Sequence, residues 1–150
     1  MRRMLAAAAT SFVLSSAALA EGVRIDRSGS KPSAIGSAAH FVGHVVVDPF
    51  YEAKTSLGGH VSFAPGARTA WHTHPAGQVL IVTDGTGWIQ EDGGARREIR
   101  SGDVVSIAAG VRHWHGATSS TAMRHIAITN LQDGKGVDWL EQVTDAQFGN

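Results

Sequence analysis

Two histidines one residue apart are the first feature of this sequence that could do chemistry. His72 and His74 end an extended run, and because side chains alternate across a strand, both imidazoles project from the same face. Two imidazoles on one face can bind one divalent ion, but a third must come from elsewhere in the chain. His113 and His115, which share a face by parity, supply one candidate pair, and His125 supplies another candidate. Taken alone, this pattern is a weak signal that leaves two interpretations open, a metal site or solvated surface histidines.

A glutamine close to this pair extends the possible ligand set. Gln78 shares the parity of the two histidines, although residues 75–77 must form a turn or bulge before it. Its amide either contacts the ion or closes that turn. The chain has no cysteine, which excludes disulfides, thiolate nucleophiles, iron–sulfur clusters and sulfur-ligated zinc. Imidazole and amide ligands instead suit manganese, iron, cobalt, nickel or zinc, and being neutral they leave the full +2 charge at the site.

Length and composition limit what can position these side chains. The chain has 150 residues, of which 43% are hydrophobic and 17% charged, and this is typical of one globular domain. Its 13 basic residues equal its 13 acidic residues, so the sequence lacks the basic excess of a nucleic-acid-binding protein. We therefore expect no nucleic-acid partner.

The first twenty residues have the pattern of a secretory signal peptide. Arg2 and Arg3 precede an apolar run over residues 5–19, and residues 18–20 fit the rule for a cleavage site between small residues. The alternative, a membrane anchor, would need roughly 20 predominantly apolar residues, whereas hydroxyl side chains interrupt this run. We predict cleavage of residues 1–20, export to the bacterial periplasm and no membrane attachment afterwards. The remaining 130 residues have 11 basic and 13 acidic side chains.

Short apolar or alternating runs separated by turn residues predict an all-β fold. The expected strands are Val42–Val47, His60–Phe63, Arg68–His74, Gln78–Thr83, Gly87–Gln90, Arg96–Ile99, Asp103–Ile107, Arg112–Gly116 and Arg124–Thr129. The turns expected between them include Pro65-Gly66, Asp84-Gly85, Asp92-Gly93-Gly94, Ser101-Gly102 and Ala109-Gly110. Nine short strands favour a sandwich or a barrel.

The two ends of the mature chain differ from this pattern. Residues 21–40 are polar and predict an extended N-terminal arm, ahead of a barrel domain over residues 41–150. Near the C-terminus, apolar residues at helical spacing over 137–148 and a capping box at residues 144–147 predict a short helix that covers the barrel.

Residues outside the metal pattern are expected to have structural roles. Trp71 and Trp114 alternate with the histidines, so they should pack on the outer side of the barrel or against a partner, and Trp88 should belong to the sheet core. Three histidines without motif support are predicted to be structural or solvated: His40, His44 and His60.

The spacing around the first histidine pair matches a known family. The run from Gly66 through His72, His74 and Gln78 to Gly85 resembles the first cupin motif, with glutamine in place of glutamate. Cupins are small jelly-roll β-barrels that hold one divalent metal inside the barrel. The resemblance therefore implies an all-β, cupin-type jelly-roll barrel.

A second stretch resembles the second cupin motif. It runs from Gly102 through Gly110 and His113 to Ala117, with Ala108 replacing the proline and Ala117 the asparagine. Together, the two resemblances imply that the metal ligands are His72, His74, Gln78 and His113.

From about residue 41 to residue 148, the chain resembles a subgroup, the manganese-dependent bacterial hydroxynitrile lyases of (R)-mandelonitrile lyase type. The likeness is carried by residues 65–75, 77–78, 113–117, 121–123, 125, 133–135 and 137–139. It implies reversible cleavage of cyanohydrins, such as mandelonitrile, to an aldehyde and cyanide, with one divalent ion, Mn²⁺, as Lewis acid. Iron, nickel, cobalt and zinc are the alternatives. His125 or His115 would be the general base.

The resemblance and the strand parity together imply a substrate pocket. Gly59, Val61 and Phe63 share one face of a strand, and Thr129 shares a face with His125 on another. In the resembled lyases the positions of Gly59, Val61 and Thr129 line a pocket. We therefore expect a small, mainly apolar pocket for a compact aromatic aldehyde.

Two alternatives to a lyase stay open. A three-histidine cupin with iron could be a dioxygenase, and a cupin could also bind a metal or a small molecule without catalysis.

Exposed edge strands and the polar arm favour a homo-oligomer.

Overall fold

The computed structural model describes residues 22–149, so the predicted signal peptide lies outside the described residues. These residues form twelve strands and one helix, α1 (Asp145–Phe148). The strands are β1 (Ala34–Ile35), β2 (Phe41–Val42), β3 (Val45–Glu52), β4 (Ser56–Phe63), β5 (Arg68–Thr69), β6 (His72–Thr73), β7 (Gln78–Glu91), β8 (Arg97–Arg100), β9 (Val104–Ile107), β10 (His113–Ala117), β11 (Met123–Asn130) and β12 (Asp138–Trp139). The predicted all-β fold with a short C-terminal helix is confirmed. No helix within residues 22–149 has the length and apolar character needed to span a bilayer.

The strands pair antiparallel in one curled sheet that wraps around the interior. Its main path is β1-β3-β4-β11-β7-β10-β5-β2. Strand β7 is long enough to pair with β9 through residues 78–81 and with β8 through residues 86–89. It therefore joins the two halves of the barrel.

The expected turn at Asp84-Gly85 is wrong, because β7 continues through both residues. Gly85 has φ 74°, and a Cβ at this position would collide with the carbonyl oxygen of Ala122. The register with β11 shifts between Arg124 and His125, which is the mark of a bulge. The dipeptide bends one strand instead of reversing the chain.

The strand expected over residues 68–74 is divided into β5 and β6. Between them, the backbone N–H groups of Ala70 and Trp71 donate to the carbonyls of His40 and Glu141 at 2.7 and 2.9 Å. Strand β6 then pairs with β10 on one side and with β12 on the other. His72 thus lies between two neighbouring strands.

Apolar side chains form two clusters on opposite faces of the sheet. The interior cluster includes Val45, Phe63, Leu80, Val82 and Met123. The second cluster consists of Trp71, Trp114, Val143 and Phe148, with Trp88 packed against it. The two tryptophans that alternate with the histidines therefore pack on the outer face, under the C-terminal segment of the same chain.

The capping box at the C-terminus is confirmed. The N–H of Gln147 donates to the Thr144 hydroxyl at 3.1 Å, and the N–H of Thr144 donates to the Gln147 side chain at 2.9 Å. The buried Arg68 guanidinium fixes this end by donating to the Val143 carbonyl and to Asp145 at 2.9 and 2.7 Å. The helical spacing predicted before residue 144 is wrong, because residues 138–139 form β12 by pairing with β6.

The predicted N-terminal arm includes one short strand. Ala34 and Ile35 pair with Val47 and Val46 of β3 in the same chain. The C-terminal part of the predicted arm is therefore paired with β3 of its own barrel.

Candidate metal centre

Strand register brings three of the predicted ligands together. His72 and His113 are direct antiparallel partners in the pairing of β6 with β10. His74 follows β6, and the ligand atoms of all three rings lie within 4.8 Å of one another. The three side chains are buried. Neighbouring strands thus converge on one group of imidazoles, which we call the histidine group.

Backbone carbonyls fix which nitrogen of each ring is free. In each ring of the histidine group, Nδ1 lies within hydrogen-bond distance of a main-chain oxygen. The three pairs are His72 with Ala70 at 3.0 Å, His74 with Gly136 at 2.7 Å, and His113 with Val111 at 3.0 Å. A neutral imidazole bonded in this way carries its proton on Nδ1 and leaves a lone pair on Nε2. All three rings can therefore offer Nε2 to one ion.

Gln78 supplies a fourth neutral donor beside the histidine group. Its amide nitrogen donates to the Thr129 hydroxyl at 2.8 Å, and its Oε1 is buried without a partner among the described residues. The turn before it is closed by the backbone, since the Gly77 N–H donates to the His74 carbonyl at 3.2 Å. The amide is therefore bound across the sheet to β11 and does not close that turn.

These donors fit a divalent cation. The Nε2 atoms of His74 and His113 and the Oε1 of Gln78 are buried acceptors without hydrogen-bond partners in residues 22–149. Leaving such groups unpaired is costly, and a cation would satisfy all of them at once. Nitrogen and oxygen donors without sulfur match the intermediate first-row metals.

Burial keeps the histidine group neutral, as metal binding requires. Burial lowers the pKa of His72 well below 6.5, and the nearby His113 lowers it further. Burial also lowers the pKa of His74, and it lowers the pKa of His113 to about 4. Because a buried imidazolium is poorly solvated, the rings lose their protons before neutral pH is reached. Their lone pairs are available at pH 7.

A second pair of buried histidines lies next to this group. The ring centroids of His115 and His125 are 4.9 Å apart, and Phe63 packs against both rings. Three buried ring nitrogens have no hydrogen-bond partner within residues 22–149: both nitrogens of His125 and the Nδ1 of His115. Burial lowers the pKa of His115, and it lowers the pKa of His125 to about 4. Both rings are therefore neutral at pH 7, and each has a buried nitrogen without a side-chain partner among the described residues.

These pKa values predict that the metal-free protein is sensitive to acid. The pKa values of His113 and His125 are lowered from 6.5 to about 4 in the folded state. Between pH 6.5 and pH 4 these two histidines bind more protons in the unfolded chain than in the folded protein. The stabilisation present above pH 6.5 is therefore lost as the pH falls towards 4. We expect the free energy of unfolding, measured with urea, to fall by roughly 2 kcal/mol for each of these groups between about pH 7.5 and about pH 5.

The control for this measurement is His44→Ala. His44 is exposed and belongs neither to the histidine group nor to the pair of His115 and His125. This variant should show the same fall as the unchanged protein, whereas His125→Phe should show a smaller one. Equal free energies of unfolding at the two pH values would contradict the prediction.

Members of the histidine group and of the second histidine pair line one cavity of about 320 Å³, and His113 is not among its lining residues. The cavity is lined by His72, His74, Gln78, His115 and His125 and by mainly apolar side chains. All four residues expected to form a substrate pocket line it: Gly59, Val61, Phe63 and Thr129. A wider depression of about 1000 Å³ beside the N-terminal arm is lined by residues 22–24, 26 and 50–54, none of which is a histidine. The smaller cavity is therefore the candidate site.

Comparison with known proteins agrees with this geometry. The cupin domain family matches residues 59–129. A protein from Granulicella tundricola named (R)-mandelonitrile lyase is 54% identical over 129 residues, which cover 84% of this chain and 98% of that protein. The chain belongs to the cupin family.

Solved cupin structures share this fold. A cupin-like protein from Thermotoga maritima matches this cupin with a TM-score of 0.74 and 39% identity, over 83% of this chain and 94% of that one. A protein described as a predicted oxalate decarboxylase from the same organism matches with a TM-score of 0.64 and 21% identity, over 73% of this chain and 100% of that one. The latter likeness concerns the fold alone.

The sequence did not indicate two aromatic walls of the cupin pocket. Phe41 and Trp139 line the cavity, and their rings are 5.5 Å apart. His40 stacks on Trp139 from outside the cavity at 4.5 Å, and the Trp139 ring lies 4.9 Å from that of His72. Phe41 and Trp139 belong to two-residue strands, which are too short to show the alternation that reveals a buried face.

Proposed function

We propose that this cupin is a metal-dependent lyase that reversibly cleaves cyanohydrins, such as mandelonitrile, to an aldehyde and cyanide. The observation that carries the proposal is the apolar cavity, which is lined by His72 and His74 of the neutral histidine group and by the buried pair His115 and His125. The 54% identity to a protein named (R)-mandelonitrile lyase supports this reaction over others that cupins support.

In this proposal His72, His74, His113 and Gln78 hold one divalent ion, Mn²⁺ by resemblance. The ion supplies Lewis acidity, which lowers the pKa of a hydroxyl and polarises a carbonyl. Because all four ligands are neutral, the protein leaves the ion's positive charge available to stabilise developing negative charge on substrate and product.

The proton is moved by the second histidine pair. A neutral imidazole of His125 or His115 accepts the substrate hydroxyl proton while the bond between the carbinol carbon and the nitrile carbon breaks. The carbonyl forms, and the bonding pair leaves with cyanide. The resulting imidazolium is a strong acid in this buried site, since burial disfavours its charge, and it gives the proton to cyanide. The reverse order adds hydrogen cyanide to the aldehyde.

The apolar walls hold the rest of the substrate. Phe41, Phe63 and Trp139 present aromatic surface, and Val61 and Ala127 add aliphatic surface. The cavity volume of about 320 Å³ is at the low end of the range for small-molecule sites. Such a volume accommodates one aryl group beside the reacting carbon. An aromatic aldehyde is the product class that this lining favours.

We also propose that residues 1–20 are removed on export to the bacterial periplasm and that the mature chain assembles as a homo-oligomer. The support is the basic, apolar and small-residue sequence of this segment and the exposed apolar residues Val23, Ile25 and Ile35 near the barrel edge. Sizing with light scattering tests the assembly, and sequencing the N-terminus of the exported protein tests the cleavage.

Metal removal should switch the proposed reaction off. We expect purified residues 21–150, loaded with Mn²⁺, to release benzaldehyde from mandelonitrile, to lose this activity in a chelator, and to regain it when Mn²⁺ is returned. Absorbance of benzaldehyde measures the rate, and bound metal is measured on the same samples. Metal-loaded protein that cleaves no faster than buffer would refute the lyase function. Oxygen consumption under the same conditions would instead indicate a dioxygenase.

A further inference from the structure

We propose that Thr129 is a positioning residue for the metal centre, which holds the Gln78 amide with its oxygen facing the histidine group. This inference rests on the proposed function only in requiring that the site bind an ion. It gives Thr129 a role toward the ion in addition to its place in the pocket wall.

Strand register places the two side chains together. Thr129 of β11 lies directly opposite Gln78 of β7 in their antiparallel pairing. Directly opposed side chains on one face of such a pair are within contact distance. The hydroxyl of Thr129 accepts from Gln78 Nε2 at 2.8 Å, and Gln78 Oε1 stays buried without a partner among the described residues.

An amide needs this orientation in a way that a carboxylate does not. The two oxygens of a carboxylate are equivalent and negatively charged, so a cation attracts the group in either orientation. The amide of Gln78 is neutral, and only its oxygen can bind a cation. A hydrogen bond that holds the nitrogen on the opposite side therefore selects the one orientation that can bind the ion.

Thr129 also contacts the segment that orients a histidine. Gly136 packs so closely that a Cβ on it would lie 3.1 Å from the Thr129 methyl group. The carbonyl of Gly136 in turn accepts from His74 Nδ1 at 2.7 Å. The hydroxyl of Thr129 thus holds Gln78, while its methyl group packs beside the backbone that holds His74.

Two substitutions separate these contacts. Thr129→Val keeps a methyl group against Gly136 but removes the hydroxyl that accepts from Gln78. Thr129→Ser keeps the hydroxyl and removes the methyl group. With Mn²⁺ alone as the probe, in competition with a chelator, we expect Thr129→Val to weaken binding about tenfold, as is typical when a hydrogen bond to a metal ligand is lost. Thr129→Ser should bind Mn²⁺ more tightly than Thr129→Val does, because it keeps the hydrogen bond to Gln78.

A double-mutant cycle shows whether Thr129 acts through Gln78. In a Gln78→Ala background, Thr129→Val should have no further effect on Mn²⁺ affinity, because the amide it would orient is absent. The same loss in both backgrounds would overturn the proposal, as would a Thr129→Val protein with unchanged affinity. Melting of the metal-free proteins should be similar for the valine and serine variants, which separates this role from a general loss of stability.

The outcomes also separate this inference from the proposed function. If the unchanged protein binds no Mn²⁺, the metal centre and the positioning role both fail. If His72→Ala loses the ion while Thr129→Val retains full affinity, the metal centre stands and the role of Thr129 is refuted.

Discussion

Replacing His72 with alanine should abolish both metal binding and cyanohydrin cleavage. The His72 ring is central to the histidine group, with its centroid 4.2 Å from that of His113 and 5.0 Å from that of His74. Losing this ligand should weaken Mn²⁺ binding by more than about 100-fold, since changes outside the ligand set already cost 10 to 100-fold. Cleavage should fall by about 10³ or more, because the Lewis acid contributes several kcal/mol to the barrier.

The matched control for this variant is His44→Ala. His44 is exposed and lies outside the cavity, so its removal should change neither bound Mn²⁺ nor the rate of benzaldehyde release. Urea unfolding of the metal-free proteins shows whether His72→Ala still folds. A folded His72→Ala protein with normal Mn²⁺ affinity would refute the ligand assignment, and one with normal turnover but no metal would refute the metal's part in the reaction.

The spacing of residues in sequence was sufficient to find the histidine group but not to determine how it is held. His72 and His74 share a face because strands have a period of two, and the cupin-like spacing pointed to His113. The carbonyl that fixes His74 belongs to Gly136, 62 residues further along the chain. Such a contact depends on the path of a loop, which local patterns do not encode.

The orientation of the Gln78 amide could not be predicted from local sequence either, because it depends on how two strands pair. The parity of Gln78 suggested an inward direction, but its orientation depends on Thr129, 51 residues away on β11. The register between β7 and β11 includes a bulge at residues 124–125, and a register error of one residue would place Thr129 on the opposite face. The hydrogen bond therefore depends on a strand register that local sequence does not determine.

Short elements explain the main errors in the expected fold. Residues 137–143 have apolar side chains near helical spacing, yet β12 forms there because β6 has an open edge to pair with. Tertiary pairing of two residues outweighs a weak local preference. The same pairing brings Trp139 to the cavity wall, so this error also hid a pocket residue.

Replacing His125 with alanine should leave the metal in place and remove most of the turnover. His125 is fully buried beside His115, lines the cavity, and is outside the histidine group. Loss of a general base typically costs 10² to 10⁴ in rate, and we expect a fall of about that size with Mn²⁺ affinity unchanged. Steady-state cleavage of mandelonitrile and the metal content of the same samples measure the two effects.

Two further variants distinguish the roles of the neighbouring histidines. Alanine at position 125 opens space in the cavity, so added imidazole should restore part of the turnover of His125→Ala. The glutamine of His125→Gln fills much of that space, so imidazole should not rescue this variant. If His115→Ala loses turnover and responds to imidazole while His125→Ala cleaves mandelonitrile normally, His115 is the base, because its ring lies 4.9 Å from that of His125 and faces the same cavity.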